Sequence, residues 1–143
     1  MDIFLKTYVK MGKERLNKYG FKRTGNNFYR VVNDVYQNIS LERSMSGLWC
    51  RICFGITPLC KRISYLDVKR GMFTRYELQV FDDKRDEWYY DRLSLERITA
   101  CITEIMDYIE NRLIPFFEKA SNAESAYLEL CNLELSASLY FNN

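Results

Sequence analysis

Apolar and polar positions follow two rhythms along this chain, a helical period at both ends and an alternation of two between them. From Asp2 to Tyr19, apolar Phe4, Tyr8, Met11 and Leu16 are separated by Lys6, Lys10, Lys13 and Lys18. That spacing predicts one amphipathic helix. Gly20 stops it, because glycine readily takes the left-handed backbone with which helices end. The run Gly20-Phe21-Lys22-Arg23-Thr24-Gly25 then leads into a strand over Asn27 to Val32. Asn33-Asp34 is a turn signal, so the following strand is expected to fold back as a hairpin with Val35, Gln37, Ile39 and Leu41 on one face. Ser44 to Gly47 supplies the next turn. Leu48 to Thr57 alternates again, with Leu48, Cys50, Ile52, Phe54 and Ile56 on its buried side. Pro58 ends this strand, since proline cannot donate to a sheet ladder.

Between Pro58 and Phe73 the pattern loses its period. Basic Lys61, Arg62, Lys69 and Arg70 mix there with Ile63, Tyr65, Leu66 and Val68, as in a long connection of the kind that often carries function. Thr74 to Phe81 alternates as a strand, and Glu87 to Tyr90 is expected to be its hairpin partner across the charged turn Asp82 to Asp86. Ser94 then makes a good N-cap for a helix carrying Ile98, Ile102, Ile105, Ile109 and Leu113 at helical spacing,. Pro115 should kink or end it. Ser121-Asn122-Ala123-Glu124 has capping-box spacing for a final helix with Ala123, Ala126, Tyr127 and Leu130 on one side.

These elements describe an α+β fold: an N-terminal helix, an antiparallel sheet of four or five strands, and a C-terminal helical pair packed mainly on one sheet face. Residues 1–143 are read as one domain, since no repeat, linker or low-complexity tract interrupts them. Composition agrees with a folded chain, at 48% hydrophobic and 28% charged residues,. The opening residues lack the form of a secretory signal and no apolar run approaches the roughly 18 residues of a membrane span. The expected location is the cytoplasm, with no membrane partner. Five cysteines, Cys50, Cys53, Cys60, Cys101 and Cys131, are read as reduced thiols, mostly buried,.

The absence of histidine removes Ser-His-Asp and Cys-His hydrolases, zincins and the histidine-dependent zinc deaminases. Cys50-Arg51-Ile52-Cys53 spells C-x-x-C, but residues three apart on a strand face opposite ways, which suits neither a redox pair nor half of a zinc site. Asp82 to Glu87 lacks the alternating ligands and glycine of a calcium loop. Glu104, Asp107 and Glu110 read as a solvated helix face. Gly20 and Gly25 follow a helix instead of a strand, so no phosphate loop is formed. No catalytic residue, metal or cofactor is assigned.

Strand parity then isolates a candidate binding face. With Ile39, Leu41, Ile52 and Phe54 turned to the helices, the opposite face presents Tyr29, Tyr36, Asn38, Ser40, Trp49, Arg51, Glu77, Gln79 and Phe81,. Tryptophan and arginine are enriched at binding hot spots, and the polar residues can fix orientation. Tyr29, Asn38, Ser40, Trp49, Arg51, Glu77 and Gln79 are the expected binding residues.

Gly20-Phe21-Lys22, Gly25 with Phe28-Tyr29-Arg30, the strand Val35 to Leu41 with its Gln37, Phe54-Gly55-Ile56, Trp88, and Leu113-Ile114-Pro115-Phe116-Phe117 together resemble the bacterial domain-of-unknown-function family 4304. The resemblance runs from the first helix to about Lys119. It implies the α+β fold and assigns no activity. By analogy with small variable bacterial proteins, the expected function is a non-catalytic cytosolic binding protein of immunity or adaptor type, its partner another protein. Nucleic acid, through the basic-aromatic segment 58–75, ranks second. A small-molecule enzyme without histidine ranks third. A homodimer through the apolar tail Leu139-Tyr140-Phe141 stays open. The charge of +2, from twenty-one basic against nineteen acidic residues, is too small for long-range attraction by itself.

Overall fold

A computed structural model describes residues 2–59, 76–77, 87–91 and 93–142; for 77 and 135–142 the description covers the backbone alone. The order is α1 (Ile3–Leu16), a 3-10 turn (Asn17–Tyr19), β1 (Lys22–Thr24), β2 (Asn27–Val32), β3 (Val35–Arg43), β4 (Trp49–Pro58), β5 (Tyr76–Glu77) and β6 (Glu87–Tyr89). There follow α2 (Leu95–Tyr108), a π-helical turn (Ile109–Leu113), α3 (Ile114–Lys119) and α4 (Ala123–Asn142). The α+β class and the antiparallel sheet beneath N- and C-terminal helices are as the sequence predicts.

The sheet runs β1-β2-β3-β4-β5, and β6 also pairs with β4. Asn33 and Asp34 both hold positive φ, 46° and 65°, the conformation of a tight hairpin turn whose twist suits β2 and β3. Gly20 takes φ 87° at the end of the 3-10 turn. Two expectations need correction. Gly20 to Asn27 is more than a connection, because Lys22–Thr24 forms a short edge strand on β2. Its charged residues discourage further pairing at that edge. Glu87–Tyr89 is not the hairpin partner of the preceding strand. It pairs with β4 through Trp49↔Tyr89, Cys50↔Trp88 and Arg51↔Glu87, while β5 pairs with the same strand through Cys53↔Glu77 and Phe54↔Tyr76. The two segments therefore lie in line along one edge of β4. Gln79 and the charged run 82–86 fall outside the described residues.

The helices cover one sheet face. Phe28, Ile39, Ile52, Phe54 and Ile56 meet Tyr8, Leu16, Ile98, Ile102, Ile105, Ile109, Leu113 and Phe117 in one continuous core. The isoleucine stripe of α2 is buried as its period predicts, and Ser94 caps the helix by accepting from the Arg97 amide at 3.2 Å. Gly12 lies on the buried face of α1. An added Cβ there would sit 2.3 Å from Cζ of Phe28, so glycine is what lets that ring lie against the helix.

The C-terminal helices depart from their sequence signals in three places. Pro115 does not end its helix. The preceding turn widens so that the Ile114 amide reaches back to the Ile109 carbonyl, a π turn that absorbs the hydrogen bond proline cannot make. The capping box is displaced by one residue. Asn122 accepts from the Ser125 amide at 2.9 Å, and the Ser125 hydroxyl accepts from the Asn122 amide at 3.3 Å. Finally, Ala126 and Leu133 are buried on α4, whereas Tyr127 is 65% exposed. Leu139, Tyr140 and Phe141 lie in α4, and their side chains fall outside the description.

Candidate binding surface

Strand pairing places Tyr29, Tyr36, Asn38, Ser40, Arg51 and Trp49 on the sheet face turned from the helices, as parity predicts: Tyr29 pairs with Asn38, Ser40 with Cys53, and Trp49 with Tyr89. The face is not open along its length. Asn38 and Ser40 are each only 2% exposed, and Tyr36 and Thr57 are also buried. Alternation determines which way a side chain points and carries no information on whether something lies over it. Among the described residues Asn38 Oδ1 meets no hydrogen-bond donor, and Ser40 Oγ reaches the Cys53 carbonyl only at 3.5 Å. These two belong to the interior. Glu77 pairs with Cys53 through its backbone, and Gln79 lies outside the described residues.

What remains accessible is concentrated where β4 meets β6. Arg51 donates to Glu87 at 2.9 Å and lies 5.1 Å above the Trp49 ring. The Tyr89 hydroxyl donates to the other Glu87 oxygen at 3.1 Å. Hydrogen bonding to Glu87 and the nearby carboxylate charge hold the Tyr89 phenol above its ordinary pKa. Trp49, Arg51, Glu87 and Tyr89 thus form a cluster whose members fix one another's rotamers, and Tyr89 is 71% exposed. Tyr29 stands apart on β2, stacked on Tyr36 at 5.9 Å.

Around the same end of the sheet, the β3–β4 loop, the start of α1 and the chain after β6 enclose a cleft of about 330 Å³. Its floor is ordered by Arg43, which pairs with Asp2 at 2.7 Å and covers the Phe4 ring, itself stacked on Tyr90 at 4.2 Å. Ile3, Met45 and Leu93 stand exposed at its rim. Leu48 is exposed beside them. Sequence reading missed this group because its members come from three segments far apart in the chain and share no period.

The other candidate residues resolve differently. Asp107 and Glu110 do more than solvate α2. Arg15 of α1 donates to Asp107 at 2.8 Å and to Glu110 at 3.0 and 3.2 Å. The hydrogen bond from Arg15 holds Glu110 below the usual carboxylate range. Cys50, Cys53 and Cys101 are buried, in line with the expectation for most of the cysteines, and Cys131 is exposed. Cys50 and Cys53 point to opposite sheet faces. Burial and hydrogen bonding to Cys101 raise the Cys50 thiol, the hydrogen bond most. Among the described residues no three Cys, Asp or Glu side chains gather to hold a metal ion. Among them, too, no helix is long and apolar enough to cross a membrane. Residues 60–75, which include the basic-aromatic segment, lie outside the description.

The motifs that carry the family resemblance meet elsewhere, in the interior. Arg30, 8% exposed, donates to Gln37 Oε1 at 2.7 Å, to the Tyr19 carbonyl at 2.7 Å and to Glu118 at 3.1 Å. Its guanidinium lies 4.8 Å above the Phe21 ring, which packs on Phe117. Gln37 in turn donates to the carbonyls of Phe117 and Ala120, at 2.8 and 3.2 Å. Phe54 packs edge-on against Phe116 and Phe117. The motifs therefore build a latch between the sheet and α3, satisfying carbonyls at the end of that helix.

A family model described as a domain of unknown function, DUF4304, matches residues 13–119. No curated protein and no solved structure matches the chain.

Proposed function

The chain belongs to the DUF4304 family, and on that premise we propose that it is a non-catalytic binding protein of the bacterial cytoplasm, of adaptor or immunity type, that engages another protein through the loop end of its sheet. The observation that carries this reading is the Trp49–Arg51–Glu87–Tyr89 cluster. It combines exposed aromatic area with an arginine already held in place, so little side-chain freedom is lost on docking. Met45, Leu48 and Leu93 are exposed on the loops at the same end of the sheet and supply apolar area of the kind that marks interaction patches. The buried free thiols accord with a reducing compartment,. Asn38 and Ser40 take no part in this surface, because they are enclosed.

Affinity capture from lysate of the native host tests the proposal, comparing the wild type with Trp49→Ala and Tyr89→Ser. The expected result is a stoichiometric protein partner lost from both variants, with thermal melting little changed for Tyr89→Ser. A partner retained by both variants, or none recovered by the wild type, refutes it.

A further inference from the structure

The outer face of α1 holds a second surface, which the protein-binding reading does not use. Lys6, Lys10 and Lys13 are exposed and fall within about 60° of one another at 100° per residue, centred about 150° from the buried Phe4–Tyr8–Gly12–Leu16 side,. At about 1.5 Å per residue, Lys6 and Lys13 stand roughly 10 Å apart along the axis. The row runs into a cleft of about 560 Å³ between the end of α1 and the β1–β2 hairpin, where Lys13, Lys22 and Arg23 face a single carboxylate, Glu14, over a floor of Phe21 and Phe28. Lys22 and Arg23 are exposed as well. Among the described residues none of these five cations is paired with a carboxylate. Asp107 and Glu110 pair instead with Arg15 and Lys18. A small net charge thus conceals a one-sided row of positive charge in which, among the described residues, five cations face one carboxylate, Glu14.

We propose that this row and its cleft bind the phosphate backbone of nucleic acid. Two observations favour that occupant over an acidic protein. Lysine is depleted in protein interfaces, whereas phosphate recognition needs little beyond spaced cations. Within the cleft Phe21 and Phe28 are 4% and 1% exposed, so among its described lining residues no aromatic ring is offered to a partner. For the same reason no base can stack there, and the binding is indifferent to sequence.

Fluorescence anisotropy of a labelled 20-nucleotide oligothymidine with the full chain tests this. With five phosphate contacts the salt slope for a single strand is about −3.5, so Kd should rise roughly 100-fold between about 50 and 200 mM salt. Lys10→Glu/Lys13→Glu should weaken binding roughly tenfold or more. Lys10→Gln/Lys13→Gln should weaken it less, in the same direction. Arg97→Glu/Lys119→Glu, which changes net charge equally at exposed sites elsewhere, should leave it nearly unaffected. No binding at low salt overturns the proposal. Equal loss in the two charge-reversed variants, or equally tight binding of polyglutamate, does so too.

Discussion

Replacing Gly12 by alanine sets two physical effects against each other, and the structure decides between them. In a helix interior alanine is favoured over glycine by about 0.8–1 kcal/mol, so propensity alone makes the substitution stabilising. The new methyl, however, would lie 2.3 and 2.6 Å from Cζ and Cε2 of Phe28, where carbon atoms prefer about 3.5–4.0 Å. The ring would have to withdraw by more than about 1 Å. It is 1% exposed, meets Tyr8 edge-on at 5.8 Å, and sits on a strand paired through Phe28↔Ile39. Overpacking of a filled core costs about 1–3 kcal/mol, and an overlap this deep with a rigid ring belongs at the upper end. Net destabilisation of about 1–2 kcal/mol is therefore expected, a fall in Tm of roughly 2–8 °C for a chain of this size. Urea unfolding followed by circular dichroism, with m unchanged, measures it. Adding Phe28→Leu supplies the decisive comparison: the double variant should be more stable than the sum of the single effects by at least about 1 kcal/mol. A stabilising Gly12→Ala, or strict additivity, refutes the steric argument.

Two further substitutions probe the interior. Gln37→Leu keeps the volume but strips the Phe117 and Ala120 carbonyls of their donor and leaves Arg30 Nε without its acceptor. A loss of about 2–4 kcal/mol is expected in thermal or urea unfolding, only part of it recovered in Arg30→Met/Gln37→Leu, which removes the orphaned guanidinium but leaves the Tyr19, Phe117 and Ala120 carbonyls without their side-chain donors,. Glu110 tests the α1–α2 contact through pH. Its folded pKa is depressed, chiefly by Arg15, so its contribution is complete above the unfolded value of about 4.3 and is lost as pH falls through the folded pKa. Glu110→Gln should cost about 0.5–1 kcal/mol at neutral pH, and the gap to the wild type should close in acid. A gap that widens in acid contradicts the assignment.

Periodicity carried most of the fold. β2 has the bounds that alternation predicts, and every isoleucine of the α2 stripe is buried. Elements without a hydrophobic period were invisible: Lys22-Arg23-Thr24 makes a strand only because β2 offers it an edge. Pairing partners were equally hidden, since Glu87–Tyr89 and the β5 residues share one edge of β4 and nothing in their composition says that they lie in line there instead of pairing with each other. Gly12 gives no apolar signal, although it is as much a core position as Leu16. At the candidate surface, parity correctly grouped Trp49 and Arg51, but enclosure of Asn38 and Ser40 depends on the whole chain. Glu87 and Tyr89 joined the cluster only once the register of β6 was known. The partnership of Arg15 with Glu110 crosses most of the sequence and leaves no local trace.

The latch formed by Arg30, Gln37 and the end of α3 lies beside Ile56 on β4, which pairs with Gln37. Trp49 begins the same strand, roughly 23 Å away at about 3.3 Å per residue. Mutations that retune one end therefore leave the other undisturbed, as expected for sites that share no partners. A chain built this way can change side chains at the loop end of its sheet without renegotiating how it stays folded.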